Sequence, residues 1–170
     1  MKNLEIKAPA PDLPGLKARA LAAGARTVGV LKQVDTYYQA ARGLLKLRVV
    51  SGAGAELIAY SRPLVEGSRV SDYAVYPVDE PGALKEILER SLLRVVEVRK
   101  SRDLLMWGGT RIHLDEVDGL GTFIELETEG DSRGPAAMRE EHERVITALG
   151  LDRAGFLAGS YADMLRDKMA

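Results

Sequence analysis

Phe123-Ile124-Glu125-Leu126-Glu127 alternates apolar side chains with two carboxylates, and its parity decides how the chain is read. Side chains two apart on a strand share a face, so Glu125 and Glu127 stand together, about 7 Å apart, while Ile124 and Leu126 point the other way. Asn3-Leu4-Glu5-Ile6-Lys7 has the same alternation, and Leu45-Lys46-Leu47-Arg48-Val49 repeats it with two cations. Lys100 and Arg102 share a face with Val96 and Val98, and Arg111, His113 and Asp115 share another. A flat sheet would put such charges in water. A sheet closed into a barrel would gather them inside, with cations facing a polyanion and carboxylates holding a metal.

Working outward from these strands, the pattern predicts extended segments at 2–8, Val28–Tyr38, Leu44–Val50, Glu56–Arg62, Val70–Val78, Val95–Leu105, Thr110–Val117 and Thr122–Glu129. Ser51-Gly52-Ala53-Gly54 and Asp118-Gly119-Leu120-Gly121 read as hairpin loops, Ala40–Gly43 as a turn and Pro63–Ser68 as a loop. Helices are expected from Asp12, as cap, to about Leu21; after an Asp79 cap, with Leu84, Ile87, Leu88 and Leu92 at helical spacing; over Ala136–Leu149, stopped by Gly150; and near Tyr161–Lys168. Helices between or after hairpins make this an α+β chain around a largely antiparallel sheet. Its 170 residues read as one domain, with neither internal repeat nor linker.

Composition excludes several classes. A net charge of −1 gives no global field for nucleic acid or an acidic membrane, so an anion site has to come from local segregation of charge. Aromatic content of 5% argues against an RNA-binding surface in spite of the arginine excess. The absence of cysteine removes disulfides, zinc thiolates and thiol catalysis. No signal-peptide pattern and no apolar run of membrane-spanning length is found, so a cytoplasmic location without a membrane partner is expected. Gly52 and Gly54 are followed by a strand rather than by Lys-Ser/Thr opening a helix, so they are not a phosphate loop.

Converging carboxylates repel unless a cation joins them, and hard oxygen ligands suit Mg²⁺ or Mn²⁺. Carboxylates, cations and a metal together are what phosphoryl chemistry requires. Read one by one, several other residues have blander roles. His113 is expected as a hydrogen-bonded wall residue, and Asp35, Tyr37 and Tyr38 as architectural, organising a turn. Arg99 is expected on the outer face, and Tyr161 as packing for the terminal helix.

At these residues the chain resembles the CYTH superfamily, the triphosphate tunnel metalloenzymes, which include class IV adenylate cyclases, thiamine triphosphatases, inorganic triphosphatases and fungal RNA triphosphatases. The resemblance runs through Asn3-Leu4-Glu5-Ile6-Lys7-Ala8, Gln33-Val34-Asp35-Thr36-Tyr37-Tyr38 and Gly43-Leu44-Leu45-Lys46-Leu47-Arg48. It continues through Val98-Arg99-Lys100-Ser101-Arg102, Arg111-Ile112-His113-Leu114-Asp115-Glu116-Val117, Gly119–Glu127 and Gly159–Leu165, in that order and spacing. It implies an eight-stranded antiparallel closed β-barrel, a tunnel open at both ends, with flanking helices. It implies Glu5, Glu125 and Glu127 as ligands of Mg²⁺ or Mn²⁺, and Lys7, Lys46, Arg48, Arg62, Lys100, Arg102 and Arg111 as substrate-binding cations. Glu5, Lys7 and Asp115 are the implied catalytic set, with Asp115 either a further ligand or the orienting partner of a basic side chain. Asn3 stands where the family has its first glutamate, so one anionic ligand is missing; its carbonyl oxygen can still meet a metal or orient a water.

The expected activity is metal-dependent hydrolysis of tripolyphosphate or of an organic triphosphate such as ATP or thiamine triphosphate. The alternatives are a class IV adenylate cyclase, making cyclic AMP and pyrophosphate, and a polyphosphate-binding protein without turnover. A homodimer is implied only by the likeness to class IV cyclases.

Overall fold

The computed structural model describes residues 3–41, 44–61, 72–130 and 134–170. Among these, eight strands and four α-helices follow one another: β1 (Asn3–Pro9), α1 (Leu13–Ala22), β2 (Arg26–Gln39), β3 (Leu44–Val50), β4 (Gly54–Ser61), β5 (Asp72–Val78), α2 (Pro81–Ser91), β6 (Arg94–Trp107), β7 (Thr110–Val117), β8 (Gly121–Glu129), α3 (Pro135–Leu149) and α4 (Tyr161–Met169). The expected α+β architecture is present as an eight-stranded antiparallel sheet, hydrogen-bonded in the order β1-β8-β7-β6-β2-β3-β4-β5. β1 and β5 are the ends of that order, and among the described residues no pairing between them closes the sheet into the barrel that the resemblance implied.

Local chemistry explains the helix ends. Asp12 caps α1 by accepting from the Gly15 backbone N–H at 2.9 Å. A side chain at Gly15 would collide with that carboxylate, so glycine permits the close cap. Gly150 ends α3 in the left-handed region at φ 64°, where a Cβ is strained. Ser160 and Asp163 form a reciprocal capping box at the start of α4. The cap of α2 differs from expectation: Glu80, not Asp79, occupies it without a side-chain capping bond, and Pro81 sets the entry by its fixed φ.

Contacts divide the chain into two compact units. The first comprises residues 1–30, 101–116 and 121–158. Its core is built from the even-numbered positions of β7 and β8 (Ile112, Leu114, Ile124 and Leu126), with Leu16 and Ala20 of α1 and Val145, Ile146 and Leu149 of α3. The strand faces therefore divide as alternation requires, leaving Arg111, His113, Asp115, Glu125 and Glu127 on the face away from those residues.

The second unit comprises residues 31–100, 117–120 and 159–170. Tyr38, Leu47 and Leu88 form one buried cluster in it, with Leu84 and Leu92 packed alongside. Ile87, expected on the same helix face, is exposed: it falls one position before Leu88 and so points about 100° away around α2. Asp35, Thr36 and Tyr37 do not organise a turn. They lie inside β2, a strand of 14 residues, because β-branched and aromatic side chains there pack better on a pleated sheet than in a bend.

Candidate functional site

The first unit gathers its charged side chains through strand register. β1 and β8 pair so that Glu5 is directly across from Glu127, Lys7 from Glu125 and Asn3 from Glu129. Residues paired this way share a face, so all six stand on one side of the sheet. Lys7 is buried, with Nζ 3.5 Å from Glu125 Oε1.

Arg102 ties this group to β7. Its Nε and Nη2 donate to Asp115 at 2.7 and 2.6 Å, and Nη2 also donates to Glu125 at 2.7 Å. Asp115 is fully buried, so it orients the guanidinium rather than facing water. Arg111 reaches Glu127 at 3.2 Å and also pairs with Glu129. Burial alone would raise the Glu125 pKa, but the Arg102 and Lys7 cations outweigh it and hold this carboxyl well below the ordinary range.

His113 is buried as expected, but its Nδ1 is 3.6 Å from Glu125, beyond hydrogen-bond reach, and has no hydrogen-bond partner. Burial, aided by Arg102, lowers its pKa, favouring the neutral ring.

Among the described residues no group of three or more carboxylate or imidazole side chains is already placed around a point that would hold a metal. The donor chemistry nevertheless fits a hard cation. Asn3 donates from Nδ2 to Glu127 at 2.7 Å, which turns its Oδ1 the other way, and that buried oxygen has no hydrogen-bond partner. An unmet carbonyl oxygen beside two opposed glutamates suits Mg²⁺, Mn²⁺ or an ordered water. Holding a metal here would exchange existing ion pairs for metal bonds.

The second unit holds the other cations. Register places Arg48 across from Asp35 and Lys46 across from Tyr37. Arg48 donates from Nε and Nη2 to Asp35 at 2.9 and 3.0 Å, and Lys46 Nζ lies 3.7 Å from the same carboxylate. Gln33 Nε2 donates to both Asp35 oxygens at 3.1 Å. Lys46 lies over the Tyr37 ring and Lys100 over the Tyr161 ring, at 5.6 and 5.2 Å from the centroids. Tyr161 is thus buried packing, as expected, and also a neighbour of a predicted site cation. Arg99 is exposed and pairs with Glu97, as its outer-face parity required.

Arg62 and the loop Pro63–Ser68 lie outside the described residues. Asp35, expected as architectural, is the buried carboxylate on which Gln33, Arg48 and Lys46 converge. A signal was present: Gln33, Asp35 and Tyr37 alternate on one strand face, the parity that marked the other charged strands.

The CYTH domain family matches residues 1–161. The chain belongs to the CYTH domain family. A Methanocaldococcus jannaschii protein named "Putative adenylate cyclase" is 22% identical over 121 residues, covering 69% of each chain. Among solved structures, a Pyrococcus horikoshii protein superposes with a TM-score of 0.83 at 20% identity, covering 95% of this chain and 98% of that one. A Hippeastrum protein named "Putative adenylyl cyclase", described as having a dominant triphosphatase activity, superposes at 0.70 with 20% identity, covering 99% and 96%. These structural likenesses are those of the CYTH fold. No helix among the described residues is long and apolar enough to cross a membrane.

Proposed function

We propose that this CYTH protein is a divalent-metal-dependent triphosphatase, acting on tripolyphosphate or on an organic triphosphate such as ATP or thiamine triphosphate. The observation that carries this reading is the opposition of Glu5 and Glu127 on a face that also bears Lys7, Arg102 and Arg111. A pure polyanion binder gains nothing from opposed carboxylates, whereas a metal-assisted enzyme uses them.

Glu5, Glu125 and Glu127 are the proposed ligands, with Mg²⁺ or Mn²⁺ supplying neutralisation of phosphate charge and activation of water when bound. Lys7, Arg102 and Arg111 of the first unit would hold phosphate oxygens; so would Lys46, Arg48 and Lys100 of the second, and Arg62. Asp115 keeps Arg102 aimed. A water oxygen bonds to the terminal phosphorus, the bond from that phosphorus to its bridging oxygen breaks, and the shortened chain leaves with the electron pair. The water's proton passes to solvent or to released phosphate.

The second reading, favoured by the cyclase names of relatives, is attack by a ribose 3′-hydroxyl on the α-phosphorus with loss of pyrophosphate. One assay separates them. Purified protein with Mg²⁺ or Mn²⁺ is given tripolyphosphate, ATP and thiamine triphosphate, with Glu127→Gln as control. Orthophosphate dependent on Glu127 supports the triphosphatase; cyclic AMP with pyrophosphate makes it a cyclase. Binding without turnover in any reaction overturns both.

A further inference from the structure

A carboxylate at the centre of an anion-binding cluster works against the anion unless it has a task there. Asp35 is such a carboxylate: it is 1% exposed, with Arg48 held in a two-point fork and Lys46 at ionic distance. Lys100 also contributes to the positive potential that keeps Asp35 charged in spite of its burial. Gln33 fixes the orientation of the carboxylate with a neutral donor shared by both oxygens. Glu56, across from Arg48 on β4, is only half-buried and more accessible to water.

Three cations close together repel, and the repulsion is strongest when no ligand is bound. A buried carboxylate offsets it, at the cost of competing with any incoming anion. The two contacts differ in kind. Arg48 is pinned to Asp35 by two hydrogen bonds, whereas Lys46 Nζ at 3.7 Å is beyond hydrogen-bond distance of that carboxylate and can turn from it without breaking a hydrogen bond to it.

We propose that Asp35 is a built-in counterion for this cluster: the anion that offsets the repulsion among its cations and against which an incoming polyphosphate competes for Lys46. The inference rests on the reading of the protein as one that takes triphosphates. It deepens that reading by making affinity a matter of charge exchange: polyphosphate oxygens replace Asp35 as the partner of Lys46, while Arg48 stays aligned. A merely architectural aspartate would behave differently, because its loss would loosen the cations and weaken binding.

The test is calorimetric binding of tripolyphosphate in EDTA at low salt, where turnover does not interfere. Asp35→Asn keeps the shape and removes the charge. It is expected to bind about threefold tighter or more, and to gain more thermal stability from tripolyphosphate than the parent protein does. Should that variant not fold, the charge-balanced pair Asp35→Asn with Lys46→Met decides. This pair leaves the net charge of the four side chains unchanged, so its affinity is expected within about twofold of the parent, against a loss of about fivefold for Lys46→Met alone.

Unchanged or weaker binding by folded Asp35→Asn, or a double variant as weak as Lys46→Met, overturns the counterion role and leaves the functional reading standing. A parent protein that does not bind tripolyphosphate overturns both.

Discussion

Glu5 stands directly across from Glu127 on the β1–β8 ladder, so two carboxylates meet at neighbouring positions on one face. Like charges so placed destabilise a sheet pair unless something compensates. Here Glu127 is met by the Asn3 amide and by Arg111.

Glu127→Gln follows from that relationship. It removes one of the two opposed charges, so thermal stability should hold or rise slightly, while metal-dependent turnover falls by about 100-fold or more. Melting curves and phosphate release, measured on the same preparation, check both halves. Undiminished activity would remove Glu127 from the metal site.

Asn3→Glu places a third carboxylate beside Glu5 and Glu127 and removes the amide that donates to Glu127. Metal-free stability should drop and Mn²⁺ affinity should rise by about tenfold. Titration of Mn²⁺ followed by electron paramagnetic resonance reads this directly, and weaker Mn²⁺ binding would count against a metal at this face.

Asp115→Asn breaks the two-point fork that aims Arg102. Losing the charge of a fully buried partner should cost about 3 kcal/mol in denaturant unfolding. Turnover should fall too, since Arg102 would turn further toward Glu125, its other carboxylate contact. A cost below about 1 kcal/mol would mean that the pair is not desolvated in solution.

Arg48→Lys keeps the charge but loses the fork to Asp35. KM for the triphosphate should rise about tenfold with kcat little changed, if the contact is equal in the ground and transition states. A fall in kcat at constant KM would place Arg48 at the reacting phosphorus instead.

Acid should destabilise the protein in two stages. His142 Nδ1 lies 2.7 Å from Thr128 Oγ1 in the first unit, and burial lowers its pKa. A folded value below the unfolded one, about 6.5, means that its stabilising contribution is full above that pH and is lost as pH falls toward the folded value. Glu125 and Asp35 are also lowered, so their contributions are present above about pH 4 and fade only in stronger acid. The melting temperature should therefore begin to decline below about pH 6.5, and more shallowly in His142→Gln. An identical slope in that variant would assign the early decline elsewhere.

Much of this was legible because strand parity is a local property. Leu44–Val50 and Thr110–Val117 form over the expected residues, and Glu125 and Glu127 share the face that alternation assigned them. Asp35 was not legible in the same way. A short polar side chain in a β-branched and aromatic run is equally consistent with a bend, and only the pairing of β2 with β3 brings Arg48 across from it. His113 was placed on the correct face, yet its distance from Glu125 depends on side-chain packing that no spacing rule contains.

By itself the sequence determined the strands, their charged and apolar faces and the hairpin turns, since these follow from a period of two and from glycine at positive φ. Tertiary structure alone decided which charges meet: that Glu5 opposes Glu127, that Arg102 is shared by Asp115 and Glu125, and that Asp35 is buried beneath Arg48 and Lys46. The reason is physical. Alternation fixes a side chain's direction, whereas its partner and its dielectric surroundings depend on register between segments far apart in the chain, 124 residues for Asn3 and Glu127, and it is those that set how much each charge is worth.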